Sequence, residues 1–161
     1  MDEKRVNVVI QPDEAVMRVD GYWSRHYATD FLAAADAFAP PKNRFSPIPY
    51  YLVCHSIELS FKAFLRSVGF NRNDCKKLNH NLEKALEIAV EQGLGNYLEV
   101  SCGDREVLAL ANRLYLKKEF EYFESLETIY DPHNFDIDEL TEFARRLLGA
   151  IEDPVRASVF Q

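Results

Sequence analysis

The sequence predicts an all-α protein, a bundle of about five helices preceded by a short extended N-terminal arm, in a single domain over residues 1–161. Three observations carry this expectation. Apolar residues recur at three- and four-residue spacing in five separate stretches, whereas strict alternation occurs only at Val6, Val8 and Ile10. The stretches are punctuated by Pro40-Pro41, Gly69, Gly93, Asp131-Pro132 and Pro154. One of them, from Tyr50 to Val68, is apolar around most of its circumference, and such a helix belongs in the middle of a bundle.

Residues 1–20 read as an extended arm or short strand. No second strand lies nearby in sequence, so the arm would pair with another chain or lie on the bundle. A first helix is predicted from about Tyr22 to Phe38, with Tyr27, Phe31, Ala34, Ala35 and Phe38 on its apolar stripe, ended by Pro40-Pro41. Ser46-Pro47 reads as an N-cap followed by proline in the first turn of a second helix, which runs to about Val68 and stops at Gly69. Tyr50, Cys54, Ile57, Phe61, Phe64 and Val68 form its main apolar face, with Leu52, Leu59 and Ala63 as a second strip. After the basic loop NRNDCKKL, a third helix spans about Asn81–Gln92, with Leu82, Ala85, Leu86 and Ala89 inward and Gly93 beyond its end. A fourth opens on the Ser101-x-x-Asp104 pattern, a capping box, and continues to about Ser125. The fifth opens on Asp136-x-x-Glu139 and buries Leu140, Phe143, Ala144, Leu147, Leu148 and Ile151 before Pro154 ends it.

Composition excludes several classes. Hydrophobic residues make up 47% and charged residues 28%, as in an ordinary globular domain. No apolar run approaches the roughly 20 residues that span a bilayer, and the N-terminus MDEKRVNVVI lacks a signal-like apolar core. Cys54, Cys75 and Cys102 are odd in number and widely spaced, so reduced thiols in a cytoplasmic protein are expected rather than a disulfide framework. Four scattered histidines and three scattered cysteines show no HxxxH or CxxC spacing, so neither a metal nor a cofactor is expected. The net charge of −7 argues against a dedicated duplex-DNA binder. Its distribution is uneven: residues 42–84 hold eight Lys or Arg against three acids, and residues 119–142 hold nine acids with no Lys or Arg. Such asymmetry either creates an anion-attracting face or reflects two ordinary solvated surfaces.

Two strings carry the chemistry. In HSIELSFKAFL, the polar residues His55, Glu58 and Lys62 are set at helical spacing into an apolar helix. In LNHNLEKALEIA, His80-Asn81-Leu82 opens the next helix. Together they resemble the HEPN superfamily (higher eukaryote and prokaryote nucleotide-binding), whose members show H-x-x-E-L-x-x-K-A-x-L on one helix and H-[DN]-L at the start of another. His55, Glu58, Leu59, Lys62, Ala63 and Leu65 fill the first pattern, and His80, Asn81 and Leu82 the second. The resemblance covers about a quarter of the chain. It implies a four- or five-helix bundle that often dimerises and acts in phage defence, toxin–antitoxin pairs or RNA processing. Active members are metal-independent endoribonucleases with an R-x(4–6)-H motif, in which a histidine moves protons and an arginine stabilises developing charge.

This chain departs from the family at that motif. His26 follows Arg18 and Arg25 at the wrong spacings, His55 follows only the distant Arg44, seven residues separate Arg72 from His80, and His133 has Arg113 upstream. The catalytic residues are therefore left unassigned. The expectation is a non-catalytic component that binds RNA or a protein partner in such a system, as a homodimer or with another protein. A divergent endoribonuclease using His80 or His133 with Arg72 or Arg113, and a structural dimerisation subunit, are the alternatives. Arg72, Lys76, Lys77 and His80 are the candidates for holding phosphate, helped by the N–H groups that open the third helix, or else they form an exposed basic loop. His55, Glu58 and Lys62 are read as a buried hydrogen-bond network, with Glu58 accepting from the backbone at residues 79–81. Tyr115, Phe120, Tyr122 and Phe123 beside Lys117 and Lys118 are read as packing rather than as base-stacking platforms.

Overall fold

The structure is a computed structural model that describes residues 14–121 and 136–160. It is all-helical across these residues. The order is α1 (Glu14–Ala37), α2 (Ile48–Ser67), α3 (Arg72–Lys77), α4 (Leu82–Glu91), a single 3-10 turn at Leu94–Asn96, α5 (Cys102–Leu116), α6 (Ile137–Ala150) and α7 (Glu152–Ser158). The five longer helices correspond to the five stretches of apolar periodicity, and α3 and α7 are short additions. No described helix is long and apolar enough to cross a membrane.

Helix α2 occupies the centre and packs against α1, α3, α4, α5, α6 and α7. Its Cys54, Ile57, Phe61, Ala63, Phe64 and Leu65 are fully buried, so the breadth of its apolar surface is matched by neighbours on nearly every side. Helix α1 lies along it. The close approach is made at Gly21, where a Cβ would stand 3.1 Å from Cβ of Arg66 and 3.2 Å from the carbonyl oxygen of Ala63. Ser56 of α2 donates to the carbonyl of Ala28 at 2.7 Å, which ties the two helices two turns further along α1. Arg25 reaches the other way, donating to the carbonyl of Leu148 at 3.1 and 3.2 Å and to Glu152 at 2.8 Å, and so fastens α1 to the end of α6 and the start of α7.

Several boundaries differ from the sequence expectation. Helix α1 begins at Glu14, so residues 14–20 are helical rather than extended; the alternating residues 5–10 lie outside the described part of the chain. Its inward face is made by Ala28 and Leu32 with Tyr22, Phe31 and Ala35 partly covered, while Tyr27 and Ala34 face outward. Three-residue and four-residue spacing admits both registers, and Gly21 is what sets the contact face. Helix α2 starts after Pro47 (φ −75°, ψ −12°), and Ser46 does not cap it. Pro49 lacks the N–H that a serine cap at position 46 would bind at its third position, and the Ser46 hydroxyl is buried with no hydrogen-bond partner among the described residues. The basic stretch after Gly69 is partly helical: Asn71 accepts from the N–H groups of Asn73 and Asp74 and opens α3. Helix α5 has the full capping box of Ser101 and Asp104 but ends at Leu116, short of residue 125. Pro154 lies in the first turn of α7, where its missing N–H is harmless, and α6 has already ended at Ala150.

The Gly21 contact makes a direct prediction. Gly21→Leu forces a branched side chain against backbone that cannot move without separating α1 from α2, and should lower stability by about 2 kcal/mol. Urea unfolding reads this as a fall in midpoint at unchanged slope; an unchanged midpoint would mean that the two helices do not meet at Gly21.

Candidate functional site

The centre of the polar chemistry is Glu58, whose residue is 3% exposed in the middle of α2. Four side chains surround its carboxylate. Lys62, one turn along the same helix, donates to Oε1. Tyr115 of α5 donates its hydroxyl to Oε2 at 2.5 Å. Nδ1 of His80, in the turn between α3 and α4, lies 3.0 Å from the same oxygen, and Nδ1 of His55 lies 3.7 Å away. Asn79 places His80 there: it sits at φ +51°, in the left-handed region that asparagine tolerates, and reverses the chain before α4. Sequence spacing anticipates a network of His55, Glu58 and Lys62. The fold adds His80 and Tyr115 to it, and Glu58 accepts from side chains of the turn and of α5 instead of from backbone at residues 79–81.

The protonation states follow from this geometry. Burial opposes the charge on Glu58, but the His55 imidazole, the Lys62 ammonium and the Tyr115 hydroxyl outweigh it and hold the carboxyl below its ordinary value of 4.5. Burial and then the Glu58 charge push the Tyr115 phenol well above its ordinary value of 10.0, so it remains a donor. With its proton on Glu58, the Tyr115 oxygen accepts from Nδ1–H of His55 at 2.9 Å. A carboxylate can only accept, so His80 also carries its proton on Nδ1, and Nε2 is the remaining ring nitrogen. The imidazole of His55 is further held by Phe31, edge-on at 4.4 Å between centroids, and by Tyr51, stacked at 5.7 Å.

Asn112 of α5 completes the anchoring of this region. Its Oδ1 accepts from the N–H of Leu82 at 2.8 Å, and its Nδ2 donates to Glu83 at 2.7 Å and to Asn81 at 3.2 Å. Asn81 in turn caps α4 by accepting from the N–H of Lys84 at 3.0 Å. The N–H groups of Leu82 and Lys84 are therefore already bound within the protein. Neither of these two N–H groups is free to serve a phosphate.

On the other side of Lys62 the surface opens into a groove of about 450 Å³ between α1, α2 and α3. Lys62, Arg66, Arg72 and Lys76 line it together with Asp20, Cys75 and the aromatic residues Trp23 and Tyr27. Arg66 is held in place by Asp20 at 2.7 Å. Arg72 and Lys76 are exposed, and neither has a carboxylate within ion-pairing distance among the described residues. Of the four residues expected from the sequence to face phosphate, the fold brings Arg72 and Lys76 into this groove. Lys77 lies outside it and pairs with Asp74 at 3.1 Å, and His80 belongs to the Glu58 network. Sequence reading did not single out Arg66, Trp23 or Tyr27 as site residues. The available signal was the one tryptophan of the chain, placed four residues before a tyrosine on a helix.

Other candidates fall away or lie beyond the described residues. Tyr115 and Phe120 are 1% and 6% exposed, so neither ring is open to stack a base, and Tyr115 beyond its packing serves the Glu58 network. Tyr122, Phe123 and His133 lie outside the described residues. No cluster of three or more His, Cys, Asp or Glu suited to a metal occurs among the described residues. The three cysteines are free thiols, Cys54 and Cys75 buried and Cys102 exposed. A scan against protein-family models, a search of curated proteins and a search of solved structures each return no match for this chain.

Glu58 should dominate the acid side of the stability profile. Because its folded-state carboxyl titrates below the ordinary 4.5, the stability it contributes is present in full above that value and is lost as pH falls toward the folded-state value. Glu58→Gln leaves Lys62 and His80 facing a neutral amide in a buried site, and should cost about 3 kcal/mol at neutral pH. Denaturant midpoints of both proteins, followed from pH 7 downward, should begin to converge once pH falls below the ordinary carboxyl value of 4.5 and keep converging toward the folded-state value. A constant gap across that range would show that the Glu58 charge is not what holds the network.

Proposed function

We propose that the chain is a HEPN-like protein that binds RNA through the cationic groove of α1, α2 and α3 without cleaving it. The observation that carries this reading is the convergence of Lys62, Arg66, Arg72 and Lys76 from two helices onto one open groove of a protein whose net charge is −7. An acidic protein that concentrates cations in a concave surface attracts polyanions there. The HEPN-like reading draws on the HSIELSFKAFL and LNHNLEKALEIA strings, and the gathering of His55, Lys62 and His80 around the Glu58 carboxylate gives residues of both strings a common structural role. A dimer, and a place in a defence or toxin–antitoxin system, belong to the same proposal through the resemblance alone.

In this reading the Glu58 network is a positioning device. Lys62 bridges the two regions, with its ammonium on Glu58 and its side chain on the wall of the groove. A second reading, divergent endoribonuclease activity, is favoured by one feature: the Glu58 carboxylate holds Nδ1–H of His80, as an orienting acid does in general-base pairs, and His80 is partly exposed.

Purified protein mixed with RNA in EDTA separates the two. Binding is expected to weaken as salt rises and the RNA to remain intact. Arg72→Glu/Lys76→Glu should weaken binding at least ~10-fold and flatten the salt dependence by about one unit of slope per residue. Cleavage by the wild-type protein that disappears in His80→Ala/His133→Ala would overturn the non-catalytic reading. Binding unaffected by the Arg72 and Lys76 reversals would remove the groove as its site.

A further inference from the structure

Beyond its cations, the groove carries two aromatic side chains that packing does not account for. Trp23 is 54% and Tyr27 56% exposed, although each would bury favourably if the fold offered cover. They lie four residues apart on α1, so they share one face of the helix, separated along its axis by about 6 Å. The indole of Trp23 has two neighbouring rings, Tyr22 edge-on at 5.9 Å and His26 tilted at 5.7 Å between centroids. A solvent-exposed indole held by neighbouring rings is a platform rather than a loose side chain, and it stands beside the same groove as Arg72 and Lys76.

We infer that Trp23 and Tyr27 form a stacking subsite for unpaired bases, which makes the ligand of the groove a single-stranded nucleic acid rather than a duplex. This inference rests on the groove being the nucleic-acid site. Aromatic faces next to cations match the two chemistries of a single strand, a π-face on every base and a charge on every phosphate. A duplex offers no such faces: its bases are already stacked on one another about 3.4 Å apart along the strand, so neither ring finds a free base there. An extended strand, whose bases are already separated, offers a free face to each ring. Stacking is tolerant of base identity, so the subsite sets strandedness and affinity and little sequence preference. Asp20, which holds Arg66, is the one carboxylate among the described residues that line the groove, and its charge disfavours a phosphate on its own side relative to the Arg72 and Lys76 side.

Trp23 is the only tryptophan, so its fluorescence reports the subsite directly. Titration with single-stranded RNA and DNA oligonucleotides at low salt should quench and saturate this emission, while a duplex of equal length and a poly-glutamate peptide should not. In parallel, anisotropy of a labelled oligonucleotide should show that Trp23→Ala/Tyr27→Ala binds about 5- to 100-fold more weakly, with Trp23→Phe/Tyr27→Phe restoring most of the loss. Both pairs are exposed enough that thermal melting should verify an intact fold. Oligonucleotide binding that depends on Arg72 and Lys76 but leaves emission and the alanine variant unchanged would overturn the stacking inference and spare the groove. Equal quenching by duplex would overturn the single-strand assignment, and saturable quenching by the acidic peptide alone would make the occupant a protein segment. Absence of any nucleic-acid binding would remove the groove reading and the stacking subsite together.

Discussion

A buried carboxylate in the central helix is the constraint on which the rest of the structure turns. Removing a charge from water costs several kcal/mol, and Glu58 is nearly inaccessible. Only full coordination makes that position tolerable. The coordination is supplied by Lys62 on the same helix, by Tyr115 on α5, and by His80 in the turn before α4. Each donor comes with its own structural requirement. Tyr115 fixes how α5 lies against α2, and His80 fixes the path of the turn, for which Asn79 adopts a positive φ. Asn112, one turn before Tyr115 on α5, extends the same tie to the start of α4. Three elements that apolar packing alone would let slide are thereby held in one register.

The groove depends on that register. Helix α3 is only six residues long and too short to be stable by itself. It is held by burial of Cys75 and Leu78 against the bundle and by the turn that delivers His80 to Glu58. Arg72 and Lys76 sit one turn apart on its outer face, so their positions relative to Lys62 and Arg66 of α2 follow from how α3 is docked. On the opposite wall, α1 is brought close by Gly21 and by the Ser56 contact with Ala28, which sets Trp23 and Tyr27 facing outward along the groove. Rigid elements thus present both charge and aromatic surface, and little of the groove wall relies on loops.

Charge distribution makes sense in the same terms. An acidic protein repels polyanions at long range, and a local excess of cations in a concave surface acts at short range, within about one Debye length, roughly 8 Å at physiological salt. Arg66 is neutralised by Asp20 and Lys62 by Glu58, while Arg72 and Lys76 remain without a carboxylate partner among the described residues. The attraction of the groove is therefore concentrated on α3, and the paired cations contribute shape and hydrogen-bond donors more than net charge.

The sequence alone determined the helical class, the approximate course of α2, α4 and α6, and the caps at Ser101 and Asp136, and it placed His55, Glu58 and Lys62 within reach of one another on α2. These are local properties, legible because helical periodicity and capping act within a few residues. Tertiary structure decided the rest. The outward register of Tyr27 was settled by the contact at Gly21, because apolar spacing on α1 fits two faces equally well. His80 and Tyr115 joined Glu58 across 22 and 57 residues of chain, which no local pattern records. Arg66, Trp23 and Tyr27 became neighbours of Arg72 and Lys76 only when α1 and α3 docked on the same side of α2. Local chemistry is written in the order of residues, whereas a site assembled from three helices exists only once the core has chosen how they pack.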